Sequence, residues 1–327
     1  MSQTNAAHRR TQHPSTAPVL VVGGTGKSGR RVAARLETLG VPTRSVGRTT
    51  SVPFDWSDPA TWDAALDGTS AAYVSYAPDL AFPGASDQVA DLARRFADRG
   101  VERVVLLSGR GEAGARASED ALLTAVPSAR VVRCSFFAQN FTEGVFAFDA
   151  LGGELAIPVP ADVPEPFVDL EDVADVAVAA LLDDVYAGTV LELTGPEAMT
   201  FGDGWGVVGE AHGQPSAFQA ISGAEFVEGM VAAGEPAELA YGLVELFSEV
   251  MDGRNVATTD TVTQVLGRPA TPLRVAAHRD VAALAHRGLT ASGGPSRRGP
   301  VASAGRASRP PRPRRSRRAP RSARRRG

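Results

Sequence analysis

Val19-Leu20-Val21-Val22 is a short apolar, largely β-branched run closed by glycines, the pattern of a buried parallel strand. Behind the glycines, Val32, Leu36 and Leu39 recur at helical spacing in a segment opened by Arg30 and Arg31, so strand, glycine turn and helix follow one another. The alternation continues. Strands are predicted over Thr43 to Gly47, Ala71 to Ser75, Val104 to Ser108 and Ala129 to Cys134, and helices over Ala60 to Leu66, Ala85 to Arg99 and Ala117 to Ala125. Strands separated by helices require crossover connections, which are right-handed, and these build a parallel sheet covered on both faces. Past Asn140 the rhythm loosens around Pro158, Pro160, Pro164 and Pro166. Helices are then predicted at Asp172 to Leu182, Gly202 to His212, Ala224 to Ala233 and Ala237 to Met251, with a strand at Val190 to Leu193. No internal repeat is evident.

The expected organisation is a disordered leader over 1–17 and a nucleotide-binding core over 18–150. A smaller cover lobe over 151–290, holding some returning core elements, and a disordered Arg-rich tail over 291–327 complete the chain. Composition supports that division. The 327 residues are 43% hydrophobic, enough for one large core with an added lobe. The formal charge of −3 conceals two opposed regions, because Leu289 to Gly327 carries 13 arginines and no acid, leaving the remainder strongly acidic. Such a tail can neutralise phosphates nonspecifically, but without aromatic residues or a folded module behind it a low-complexity extension is the simpler reading, and no specific nucleic-acid partner is expected. One cysteine, Cys134, rules out an internal disulfide and points to a reducing compartment. The polar start has no signal-peptide core, and no segment approaches the roughly 20 apolar residues of a membrane span, so a cytoplasmic protein is expected.

The chemistry concentrates in Gly23-Gly24-Thr25-Gly26-Lys27-Ser28-Gly29, between the first strand and the first helix. The segment reads as G-x-G-x-x-G through Gly24, Gly26 and Gly29, and as G-x-x-G-x-x-G through Gly23, Gly26 and Gly29. Glycine lets the backbone approach a pyrophosphate closely, and the helix start offers unpaired N–H groups. A P-loop reading of Gly26-Lys27-Ser28 fails because Val21 stands where that motif needs its first glycine. The fold class is therefore α/β, a Rossmann-type doubly wound sheet binding a dinucleotide. An NAD site ordinarily places an acid about 20 residues downstream. Here Arg44 and Arg48 stand at the second strand with no acid between Thr43 and Pro53, which favours NADP(H) over NAD(H) through pairing with a 2′-phosphate. Asp55 and Trp56 are candidates to flank the adenine, and Trp56 is equally suited to a core position.

Together with the Arg44 to Arg48 strand end, Val105 to Gly111, Arg133 through Phe137 to Asn140-Phe141, Phe167 to Ala174 and Leu193 to Glu197, this loop resembles the NmrA-like family of atypical short-chain dehydrogenases, including its NAD(P)H:quinone oxidoreductase-like members. The likeness runs from about Pro18 to His286. It implies that Tyr76, Ala77, Pro78 and Ser108 line the nicotinamide side of a cleft, and that Phe136, Phe137 and Asn140 shape the substrate wall. Cys134 falls where proline is common in that family and reads as a small buried filler.

Carbonyl reduction by short-chain dehydrogenases needs a tyrosine with a lysine four residues later. Lys27 is the sole lysine, so that pair cannot exist, which also counts against sugar epimerases. Hydride transfer to an acceptor needing less acid assistance remains: a quinone, a flavin-like ring or an activated enone, with Tyr76 and Ser108 as candidates to orient it. Glu112, Glu119 and Asp120 read as solvated helix charges. Asp169 and Asp172 read as a helix cap with an acidic first turn. His8, His13, His212, His278 and His286 have no ligand spacing, so no metal is expected. Two functions follow: an NADP(H)-dependent oxidoreductase acting on a small molecule, or a non-catalytic NADP(H)-binding regulator.

Overall fold

The computed structural model describes residues 17–144 and 146–291, with side chains of the final helix described through His286. The expected leader and Arg-rich tail lie, but for their inner edges, outside the described residues.

The first half runs β1 (Val19–Val22), α1 (Lys27–Thr38), β2 (Thr43–Val46), α2 (Trp62–Leu66), β3 (Ala71–Val74), α3 (Ala85–Asp98), β4 (Arg103–Gly109), α4 (Ala113–Ala125) and β5 (Arg130–Cys134). There follow α5 (Phe148–Leu151), β6 (Glu154–Ile157), β7 (Pro164–Glu165), α6 (Leu170–Leu182), β8 (Val190–Leu193), β9 (Met199–Thr200) and α7 (Phe201–His212). The last described elements are β10 (Ala217–Ala220), α8 (Gly223–Ala232), α9 (Ala237–Val250), α10 (Thr261–Leu266) and α11 (Leu273–Ala291).

Six strands form one sheet in the order β2-β1-β3-β4-β5-β8, every pairing parallel. Its inner strands are apolar on both faces because both faces are covered. Leu20 and Val22 point with Ala72, Val74, Val104 and Leu106 towards α3 and its neighbours. Val19 and Val21 point with Tyr73, Val105 and Val132 towards α1 and α6. All four β1 side chains are buried, and each Val or Leu so placed contributes about 1.5–3 kcal/mol. The strand order reverses beside β1, and ligands bind at such a switch point beyond the carboxyl ends of the strands.

A third core lies outside the sheet. Phe141, Phe148, Phe167, Phe201, Trp205 and Phe247 pack edge to face or tilted around it. Asp169 caps α6 by accepting from Glu171 N at 3.0 Å, as its position implies, and the same carboxylate accepts from Arg279 of α11 at 2.6 Å. Asp172 accepts from Arg268 at 2.7 Å and from the Thr271 amide at 2.6 Å. The acidic start of α6 thus anchors both α11 and the segment leading into it.

Several starts differ from expectation by one to four residues, and three of them bear on the site. Helix α1 opens at Lys27, inside the glycine segment, α4 at Ala113 and α6 at Leu170. The short pairs β6 with β10 and β7 with β9 and the helices α5, α10 and α11 had no clear sequence signal. Among the described residues no helix is long and apolar enough to cross a membrane.

Candidate functional site

The turn from β1 into α1 is built for close approach. Gly23 adopts φ +76°, a conformation side chains disfavour. A Cβ on Gly24 would lie 2.7 Å from Ser45 Cβ, and one on Gly29 would lie 2.2 Å from the Gly23 carbonyl oxygen. No side chain caps α1 at Gly26, so the first-turn amides of Lys27, Ser28 and Gly29 have neither a helical nor a side-chain acceptor. A cradle floored by backbone and edged by free amides fits a diphosphate. Gly47, at the end of β2, faces Thr25 of this turn: a Cβ there would lie 3.4 Å from Thr25 Oγ1. Arg48 follows it and is exposed.

From the loop a cleft of about 420 Å³ runs over the carboxyl ends of β3, β4 and β5, within the size range of small-molecule pockets. Lys27 and Ser28 stand at one end, Tyr76 and Pro78 along one side, and Phe136 and Phe137 on the opposite wall. Helix α9 closes the far end with Leu243, Phe247 and Val250. Lys27 Nζ donates to Asn140 Oδ1 at 2.7 Å, which joins the glycine turn to the segment that carries Phe136 and Phe137. Burial holds the Lys27 ammonium down to about 8.

Several expected roles are corrected by these positions. Arg44 lies near the start of β2, and its guanidinium donates to the carbonyls of Ala65, at 2.9 Å, and Asp67, at 2.5 Å. It completes the end of α2, and its guanidinium is engaged there rather than at the glycine turn. Trp56 is a core residue, packed between Phe54, Trp62 and Tyr76 with ring centroids 5.1, 5.7 and 4.6 Å away. Asp55 accepts from Ser57 N at 2.9 Å and Ser57 Oγ at 2.7 Å, and these bonds lower its carboxyl below the ordinary range. Tyr76 lines the cleft, but its hydroxyl donates to Gln88 Oε1 at 2.7 Å. Ser108 is buried and donates to Glu119 Oε1 at 2.6 Å. Neither hydroxyl is free to orient an acceptor through its proton. Cys134 is buried, and desolvation pushes its thiol far up, as befits a filler.

Of the two acids of α4, Glu119 is buried rather than solvated. Ser108, Arg133 and Glu192 are neighbours in one cross-strand row of β4, β5 and β8. Arg133 donates to Glu119 through Nε at 2.9 Å and through a second, shorter bond from Nη2, and to Glu192 at 3.2 Å. Glu119 is thereby the buried counter-charge of a buried arginine, whereas Asp120 is exposed as expected.

Glu112 lies in the cleft beneath Leu243 and Phe247's helix, and burial, followed by the charges of Asp79, Glu249 and Glu119, pushes its carboxyl up to about 9. Burial likewise raises Glu165 to about 7. The Glu112 shift fixes a pH dependence of stability. Unfolded, the group loses its proton near 4.5, and folded it keeps it to about 9, so its contribution is fully present below 4.5 and is lost as pH rises through 9. Glu112→Gln cannot lose that proton. Its chemical-denaturation midpoint should match the parent's in acid, exceed it at neutral pH, and exceed it most at and above pH 9; equal midpoints throughout would show an ordinary carboxyl.

No protein-family model matches the chain. The oxidoreductase YesF of Bacillus subtilis (strain 168), itself uncharacterised, is 32% identical over 271 residues, spanning 77% of this chain and 91% of YesF. The NAD(P)H azoreductase of Xenophilus azovorans is 27% identical over 276 residues, spanning 77% of this chain and 94% of that protein. Among solved structures, the NADPH complex of the Escherichia coli quinone oxidoreductase QOR2 superposes with a TM-score of 0.66 at 20% identity, over 81% of this chain and 99% of that one. Sheet order and glycine turn define a Rossmann-type fold, with a cleft over the carboxyl ends of its strands. The chain belongs to the oxidoreductase family that includes YesF.

Proposed function

We propose that this protein is an NADP(H)-dependent reductase of small, planar, apolar acceptors of the quinone or enone type, working without a Tyr/Lys pair. The observation that carries the reading is one continuous cleft, leading from the uncapped start of α1 past Lys27 to the aromatic wall of Phe136 and Phe137. Gly23 to Gly29 would hold the diphosphate, Arg48 the 2′-phosphate, and Pro78 with Ala77 the edge of the nicotinamide. When bound, that group supplies a hydride at the floor of the cleft. The chain's own residues bind and orient: Lys27 fixes Asn140, the phenylalanines stack an acceptor ring, and α9 excludes water from the far end. A cleft open to an acceptor favours turnover over a purely sensory role, and the names of the azoreductase and quinone oxidoreductase relatives support the class of acceptor.

The test is titration of the full chain with NADPH and NADH, followed by loss of reduced-cofactor absorbance against a panel of quinones and enones. Tight NADPH binding with turnover is expected; binding without turnover would make the protein a sensor. Arg48→Asp removes a charge-assisted contact of about 1.5–3 kcal/mol and adds repulsion, so NADPH should weaken by about 10²-fold while NADH changes little. Equal losses for both would refute the 2′-phosphate contact.

A further inference from the structure

We propose that Glu112 is the proton donor to the reduced acceptor, an assignment that rests on the reductase reading above. Reduction of a quinone or enone needs a hydride and a proton. The hydroxyls of Tyr76 and Ser108 are committed to Gln88 and Glu119, Ser135 Oγ donates to the Pro166 carbonyl at 2.5 Å, and Lys27 donates to Asn140. That leaves no free hydroxyl on the cleft wall; the donors that remain include the ammonium of Lys27, which keeps two protons beyond the one given to Asn140, and the carboxyl of Glu112, and Glu112 is the one set over the end of β4.

Glu112 occupies that wall for a structural reason. It stands at the N-cap position of α4, where an acid ordinarily bonds the first amides of its own helix, yet its side chain makes no capping bond. Glu249 of α9 takes that place, accepting from Ala113 N at 2.8 Å. The Glu112 carboxyl is displaced onto Gly109, where an added Cβ would lie 1.9 Å from its Oε1. It therefore covers the carboxyl end of β4 and lines the same cleft as Tyr76, Pro78 and Phe136. Glycine at 109 is what makes room for it.

The surroundings favour a neutral acid there. Asp79 comes from the segment before α3, where it accepts from Ala81 N at 2.9 Å; Glu249 comes from α9 and Glu119 from α4 itself. The cations near this end are committed: Arg110 to Glu192 at 2.8 Å and to the Asn255 carbonyl at 2.6 Å, and Arg133 to Glu119 and Glu192. Glu165, across the cleft, accepts from Phe136 N at 3.0 Å. No arginine, lysine or histidine pairs with Glu112 among the described residues. Three like charges and burial keep the proton on this carboxyl through neutral pH, as the shift to about 9 reflects.

In the step, the Glu112 O–H bond breaks and an O–H bond forms on the acceptor oxygen, or a C–H bond forms on the enone α-carbon. With the hydride from the reduced nicotinamide, a quinone, NADPH and one proton give a hydroquinone and NADP⁺. Solvent at the cleft mouth then returns the proton to the carboxylate.

The experiment has two arms on the full chain. In the first, NMR of carboxyl-labelled glutamate without cofactor should show one resonance titrating near 9 that is absent from Glu112→Gln. In the second, kcat with NADPH and menadione is followed against pH. The parent should lose turnover as pH rises past the same value, Glu112→Gln should be slower by about 10²-fold with no alkaline limb, and Glu112→Asp should recover part of the loss. NADPH affinity of the Gln variant, read by fluorescence, should match the parent's and so exclude misfolding. A Glu112 that titrates in the ordinary carboxyl range, or a Gln variant with full turnover and the parent's pH profile, overturns the assignment and leaves the reductase reading intact. A parent that binds NADPH yet reduces no quinone defeats the reductase reading, and the assignment falls with it.

Discussion

Gly29→Ala is expected to abolish useful nucleotide binding while leaving the sheet folded. The added methyl would stand 2.2 Å from the Gly23 carbonyl oxygen and 3.0 Å from Gly24 Cα, and neither is a flexible side chain that can turn aside. The start of α1 must move away from the end of β1, and the amides of Lys27, Ser28 and Gly29 lose their common focus. Loss of two charge-assisted hydrogen bonds, at about 1.5–3 kcal/mol each, corresponds to roughly 10²- to 10⁴-fold in affinity. Gly206→Ala is the control. It lies within α7, where an added Cβ meets nothing within 4 Å, so binding should be unchanged and stability should rise by about 0.5–1 kcal/mol. Calorimetric titration with NADPH and circular dichroism decide both.

The second large effect concerns stability. Glu119→Ala removes the principal partner of Arg133, whose side chain is only 10% exposed, and leaves Glu192 at 3.2 Å as its remaining carboxylate. A buried charge deprived of its partner costs about 3–5 kcal/mol, so the urea midpoint should fall sharply with an unchanged slope. Replacing Glu119 and Arg133 together by leucine should recover much of the loss, because the pair's attraction is offset by its desolvation. A Glu119→Ala protein as stable as the parent would mean that solvent reaches Arg133 and that the row from Ser108 to Glu192 is not closed.

The frame of the fold was legible because its inner strands are buried on both faces and its helices carry apolar residues at regular spacing. Val19 to Val22 and the pair Val32 and Leu36 admit one reading each, whereas Leu39 ends α1 as an exposed C-cap; the glycines between strand and helix mark the turn. The cover lobe was less legible. Ala217–Ala220 has no β-branched residue and pairs, among the described residues, with Glu154–Ile157 alone, while α11 meets the core through Leu273 and two small residues, Ala276 and Ala277.

Within the site, residue type was visible and direction was not. Tyr76 and Ser108 do reach the cleft, but nothing in the sequence says that Gln88 and Glu119 claim their hydroxyls. Arg44 and Arg48 look alike as letters, yet one faces the end of α2 and the other is exposed past the strand, next in sequence to the Gly47 that faces Thr25. Glu119 left a trace that could have been followed: it shares a helical face with Ala115 and Leu122, and Arg133 sits inside an apolar strand, where a buried acid must answer it. Glu112 left none, because its place depends on Glu249 arriving from α9, more than a hundred residues later in the chain.

The claim on which the account rests is that the turn between β1 and α1 holds the diphosphate of a pyridine dinucleotide. Isothermal calorimetry of the full chain with NADPH tests it directly. One site per chain, lost in Gly29→Ala and kept in Gly206→Ala, is the predicted result; absence of heat with both NADPH and NADH, or equal binding by the two glycine variants, would contradict it.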